Sequence, residues 1–269
     1  MTSPTLRAPA PGAAPAPAGT AADGTAADGT VAGGIAPRRV PAVVVLSVVA
    51  VVVAAGLVAW NNLLVPALPA DPVVRMIANV AGVLVLVLAA RAGGLTWRDL
   101  GLCPTTWSAG LRWGGAAVGV AALGYAVAFL LPATRPLLEN PGVASSPASA
   151  VVLRALLLIP VGTVLCEELA FRGVLHGLTE RAWAGRWWAG RGAVFAVASA
   201  FAIWHLAGAV AAPAGGIPVL GVLVVLVVTA IGGVVMSVVR RRTGSIFASI
   251  GIHLGTNVVG LVAVILATR

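Results

Sequence analysis

Residues 151–177 read VVLRALLLIPVGTVLCEELAFRGVLHG. The stretch is apolar enough to lie in a bilayer, yet it carries Glu167, Glu168 and Arg172 near its middle. Each ionised side chain at bilayer depth costs roughly 2.5–3.5 kcal/mol on insertion scales, so two adjacent carboxylates there need a reason. Arg172 lies four residues after Glu168 and can face it along a helix. Further partners lie in later apolar segments: His205 in one, His253 and Asn257 in another.

The surrounding chain is of the same kind. Of 269 residues, 59% are hydrophobic and 9% charged, with a mean hydropathy of +1.03. That composition excludes a soluble globular domain and fits an all-α, polytopic membrane helix bundle. Seven apolar segments recur: about 40–60, 73–90, 109–131, 151–177, 192–211, 217–239 and 245–267. Each is near the ~20 residues that cross a bilayer core, and backbone groups in lipid must be satisfied within the segment, which demands helices.

The net charge of +9 suggests nucleic acid at first sight, but its arrangement points to the membrane. Every basic residue is Arg, and the arginines sit between the apolar segments. With the N-terminus inside, twelve fall on inside regions and four on outside ones, with Arg172 left within a helix. That bias sets the orientation with N-terminus in and C-terminus out, and places the protein as multi-pass in the cytoplasmic membrane. Trp183, Trp187 and Trp188 read as an interfacial belt beside the inside arginines, and 95–102 (LTWRDLGL) as a short amphipathic piece on that face. Residues 1–37, with AADGT repeated at 21–25 and 26–30, read as a disordered tail. Two N-terminal helices occupy 38–94, and a core runs over 95–269. Cys103 and Cys166 form neither a disulfide pattern nor a zinc-type pair.

Only two of the eight acidic residues, Glu167 and Glu168, are embedded. Of three histidines, His205 and His253 are embedded, while His176 reads as interfacial and without a role. At about 1.5 Å of rise per residue, Glu167, His205 and His253 fall roughly 13–20 Å from the inner face. Three helices can therefore bring their polar groups to one level. Such a set can attack an amide in a water-filled cavity: a Glu as general base on water, a His to orient that water, and His and Asn as donors to the oxyanion. In the alternative version Glu167, His205 and His253 hold a divalent metal such as zinc, which activates bound water. No HExxH pair is present. A cysteine nucleophile is disfavoured, because Cys166 points about 100° away from Glu167 on a helix. For Gly221, Gly232 and Gly233 close helix packing is the simpler reading.

Three patterns carry a resemblance: EExxxR at Glu167–Arg172, FxxxH at Phe201–His205, and HxxxN at His253–Asn257. In this order, on separate apolar helices, they resemble the CAAX protease and bacteriocin-processing family of intramembrane proteases. The resemblance covers roughly 95–267. It implies that Glu167 is the general base, assisted by His205, that His253 and Asn257 stabilise the oxyanion, and that Glu168 and Arg172 form a supporting pair. It implies no certain cofactor, and as partners a membrane-associated peptide or protein substrate and the bilayer, without nucleic acid. Rival classes are a proton-coupled small-molecule carrier, which predicts two related halves, and a non-catalytic immunity or scaffold membrane protein.

Overall fold

The structure, a computed structural model, describes residues 41–210 and 219–268. The expected tail at 1–37, the start of the first segment at Val40, and the ends at Ala211 and Ile217 lie outside these residues. The described residues are helical and contain no strand.

The helices run α1 Ala42–Ala67, α2 Pro72–Ala92, α3 Pro104–Leu130, α4 Ala148–Ala182, α5 Ala189–Trp204, α6 Leu206–Val210, α7 Val219–Thr243 and α8 Ile246–Thr268. Six of them, α1–α4, α7 and α8, are long and apolar enough to cross a membrane. The fifth apolar segment is different. Its α5 has 16 residues, about 24 Å of rise, and the helix breaks at His205 (φ −85°, ψ 0°) before α6 continues for five residues. The break sits on the histidine that the FxxxH pattern singles out.

Local chemistry fixes the helix ends. Asp71 caps α2 by accepting from the N–H groups of Val73 (2.7 Å) and Val74 (3.1 Å), with Pro72 at the first helical position. Gly244 (φ +68°) ends α7 in the left-handed conformation, and Ser245 starts α8 by accepting from Phe247 N–H at 3.3 Å. The outer faces stay apolar: Val51, Val52, Leu84, Val85, Leu123 and Val227 are each more than half exposed. In water such a surface is prohibitive. Around a bundle of membrane-spanning helices it is the lipid-facing surface of an integral multi-pass membrane protein.

Small residues set the helix crossings, since in lipid packing replaces the hydrophobic effect as the driving force. Gly114 of α3 lies against Gly251 of α8 so closely that a Cβ on Gly251 would sit 2.2 Å from the Gly114 Cα. Gly233 of α7 packs on Ala198 and Phe201 of α5, with 3.1–3.4 Å to its Cβ position, whereas Gly232 meets nothing within 4 Å. Of these two neighbours, therefore, only Gly233 makes a close crossing. Gly251→Leu forces backbone apart from backbone, which no rotamer relieves. It is expected to cost about 1–3 kcal/mol, seen as a lower unfolding midpoint in detergent.

Residues 95–102 form an amphipathic turn, with Thr96, Trp97 and Arg98 exposed. Leu95 and Leu100 are buried, and Thr96 and Asp99 cap one another through the Thr96 N–H and hydroxyl and the Asp99 carboxylate (both 2.7 Å). The turn plugs into the bundle because α4 offers Gly177, whose Cβ position is 2.7 Å from the Asp99 carbonyl, and Arg240 of α7 donates to that same carbonyl.

Several helices widen to π-type winding where their polar residues lie. In α4 this covers Arg154–Leu165, which includes Pro160, and Glu168–Leu175. In α8 it covers Gly255–Val259, and in α1 Trp60–Leu64. Pro160 has no N–H to donate, so the α-type ladder is already broken there. π-turns recur at functional sites because they re-aim side chains within a continuous helix.

Candidate active site

The two carboxylates of α4 have divided tasks, because neighbours on a helix point about 100° apart. Glu168 points inward and is wholly buried. Its Oε1 accepts from Arg172 Nη1 at 3.0 Å and from His253 Nδ1 at 2.9 Å. One oxygen therefore neutralises the α4 arginine and anchors the α8 histidine. Arg172, also wholly buried, lies over the Phe201 ring at 4.0 Å, so the aromatic face takes up part of its charge.

Glu167 points toward α5. Its Oε1 accepts from Trp204 Nε1 at 3.3 Å. Its Oε2 is buried without a hydrogen-bond partner among the described residues, and lies 4.0 Å from His205 Nε2 and 3.9 Å from His253 Nε2. Both imidazoles are oriented from behind. His205 Nδ1 is 2.8 Å from the Phe201 carbonyl, which only accepts, so the proton is assigned to Nδ1. His253 Nδ1 donates to Glu168. In the neutral rings, then, two Nε2 lone pairs and a carboxylate oxygen face one another; a positive charge satisfies all three, whereas a water gives its two hydrogens to two of them and satisfies the third when His253 carries a proton on Nε2.

The spacing bears on both. Two hydrogen bonds of about 2.7–2.8 Å meeting near a right angle at one water span about 3.9 Å, which matches both separations. The donor types also match the His₂Glu set of catalytic zinc, and the Phe201 carbonyl and Glu168 stand where second-shell partners belong. However, donors on a tetrahedral zinc bonded at about 2.0–2.2 Å lie about 3.3–3.5 Å apart. These pairs are wider, and no three His, Cys, Asp or Glu groups among the described residues close to metal-binding spacing. The separations as they stand suit a water.

An aromatic cluster holds these groups in place. Phe171 meets Phe201 (5.2 Å) and Trp204 (5.4 Å) edge-on, and Phe201 meets the His205 ring at 4.7 Å. The first residue of the FxxxH pattern thus supports Arg172 with its ring face, packs T-shaped against the His205 ring, and sets the His205 tautomer with its carbonyl.

Of the six residues singled out by sequence, Glu167, Glu168, Arg172, His205 and His253 converge. Asn257 does not join them by a hydrogen bond: its Nδ2 donates to the His253 carbonyl (3.1 Å) and to Thr256 Oγ1 (3.3 Å), within its own helix. His176, expected at the interface and without a role, is wholly buried within the bundle, with Nε2 3.4 Å from Glu180. It belongs to a second polar cluster at the end of α4. There Arg241 pairs with Glu180 at 3.0 Å, and Arg240 donates to the Arg172 carbonyl at 2.9 Å.

Glu167 forms part of the wall of a cavity of about 550 Å³ between α1, α2 and α4, with Gly56, Leu57, Trp60, Gly82 and Leu86 among its lining. The size is that of a ligand pocket. Trp60 Nε1 donates to Asn79 Oδ1 (2.9 Å), and Asn79 Nδ2 donates to the Gly162 carbonyl (3.1 Å), so α1, α2 and α4 are tied together at this level. Sequence reasoning passed over Trp204, Trp60 and Asn79. A lone Asn inside the second apolar segment was the available signal.

With this geometry in view, residues 148–259 match the family model described as type II CAAX prenyl endopeptidase Rce1-like. That segment is similar to the Rce1-like family. It contains all six of the motif residues, and the family is one of membrane proteases, in keeping with the resemblance read from the motifs. The helices α1–α3 lie outside the match, so the cavity is shared between the Rce1-like segment and helices that precede it. No curated protein and no solved structure matches the chain.

Proposed function

We propose that the protein is an intramembrane endopeptidase that hydrolyses a peptide bond of a membrane-presented peptide or protein, using water activated by Glu167. The observation that carries the reading is the unpartnered Oε2 of Glu167, opposite two imidazole nitrogens at the wall of an apolar cavity. A water there gives one proton to Glu167 while its oxygen attacks the scissile carbonyl carbon. His205 Nε2 accepts the water's second hydrogen and so aims a lone pair at the carbon. Glu167 then passes its proton to the amide nitrogen, the C–N bond breaks, and an amine and a carboxylic acid leave. Glu168 balances the charge on His253 when that ring is protonated, in which state Nε2–H donates to the developing oxyanion. Asn257 bonds to the His253 carbonyl and acts through that residue.

The cavity supports a substrate with an apolar chain beside its scissile bond, prenylated or not. The arginine bias of the loops supports placement in the cytoplasmic membrane with the N-terminus inside. A substitution that fills the cavity without touching the polar groups tests the substrate assignment. Nothing lies within 4 Å of the position a Cβ would take on Gly56, so Gly56→Leu occupies the cavity alone. It is expected to raise KM about tenfold and leave kcat near wild type, the signature of lost uniform binding. An unchanged KM in a cleavage assay with apolar-tailed peptides would remove the cavity from substrate binding.

A further inference from the structure

The helix break at His205 is bridged from outside the Rce1-like segment. Asn62, in the π-wound stretch of α1, uses a single amide on both sides of the break. Its Nδ2 donates to the carbonyls of Ile203 (3.1 Å) and Trp204 (3.3 Å), and its Oδ1 accepts from the N–H of Ala207 (2.6 Å). Asn61 adds a second donor to the Trp204 carbonyl at 2.7 Å. Asn62 Nδ2 also bonds to the Val58 carbonyl of its own helix at 2.8 Å, which fixes the side chain before it reaches across.

We propose that Asn62, seconded by Asn61, is a positioning residue for the catalytic His205 and for Trp204 beside it. A helix break at membrane depth leaves carbonyls and N–H groups that lipid cannot satisfy. Here the partners come from α1 and hold the backbone before and after His205. The clamped stretch delivers two side chains to one target: Trp204 Nε1 to Glu167 Oε1 and His205 Nε2 to Glu167 Oε2. Releasing the clamp lets the broken helix drift by more than the few tenths of an ångström that a water bridge tolerates. Two adjacent asparagines in an otherwise apolar helix are hard to explain as lipid-facing residues, since removing a polar side chain from a lipid face favours insertion. The inference also makes α1 part of the active centre and not merely an anchor. It rests on the reading of His205 as a member of the hydrolytic site.

The test separates the two claims. The chain has three histidines, so ¹⁵N-histidine labelling in nanodiscs gives three ring environments, with His205 assigned by its loss in His205→Gln. In Asn62→Ala the His205 ring signals are expected to shift or broaden while those of His176 and His253 stay. In peptide cleavage kcat is expected to fall at least tenfold with KM within twofold. If Asn62→Ala does not fold, Asn61→Ala carries the test, with the same selective change at smaller size. Unchanged His205 signals in a folded variant overturn the clamp, as does a kcat within twofold of wild type. If the wild type cleaves no peptide, the hydrolytic reading fails, while the ring signals alone still decide whether Asn62 positions His205.

Discussion

Glu167→Gln is expected to lower kcat by about 10²–10⁴-fold, the usual effect of removing a general base. The change is nearly isosteric and keeps an oxygen for Trp204, whose Nε1 bonds to Oε1 at 3.3 Å. What it removes is the oxygen opposite the two imidazoles that takes a proton from water. KM and the unfolding midpoint are therefore expected to stay near wild type, because the apolar lining of the cavity is untouched. Addition of a chelator is expected to leave wild-type activity unchanged, since the 3.9 and 4.0 Å separations suit a water. A fall in activity on chelation, restored by zinc, would replace this version with the metal version.

The second large effect is on the buried pair Glu168–Arg172. Both side chains are fully buried, and Arg172 Nε and Nη2 have no hydrogen-bond partner among the described residues. Removing one charge strands the other, so Glu168→Leu alone is expected to destabilise the protein by about 3–5 kcal/mol. The double substitution Glu168→Leu with Arg172→Met removes both charges and is expected to recover most of that loss, because apolar replacements of buried ion pairs are often neutral or better. Activity is expected to behave differently. Glu168 also holds His253 Nδ1 at 2.9 Å, so the double variant folds but leaves the imidazole unanchored, and kcat stays depressed. Equal recovery of stability and activity would reduce Glu168 to a structural counter-ion.

The all-helical membrane class and the identity of the polar groups were largely legible because membrane depth makes each charge conspicuous; of the seven apolar segments, six form helices long enough to cross and the fifth breaks at His205. Glu167, Glu168, His205 and His253 stood out in segments that otherwise read as lipid-facing, and one rise per residue sufficed to place them at one level. The features that escaped depend on partners far away in the chain. The first apolar segment reads as ending near Trp60, just before Asn61 and Asn62. The helix continues through them to Ala67 because their amides bond to backbone 141–145 residues further on. Likewise, the break at His205 left no proline or glycine at the break itself. His176 looked interfacial by position, yet the end of α4 is covered by α7 and by the turn at 95–102, whose burial depends on Gly177 lacking a Cβ. Periodicity shows which residues are polar in an apolar helix, but not which distant carbonyl each of them meets.

The most direct test of the central claim is digestion of a library of membrane-embedded, apolar-tailed peptides in H₂¹⁸O by purified wild-type protein and by Glu167→Gln, read by mass spectrometry. The account predicts internal cleavage by the wild type, ¹⁸O in the new C-terminal carboxylate of each fragment, and no such fragments from Glu167→Gln. Equal cleavage by the two proteins, or no cleavage of any library member by the wild type, would contradict it.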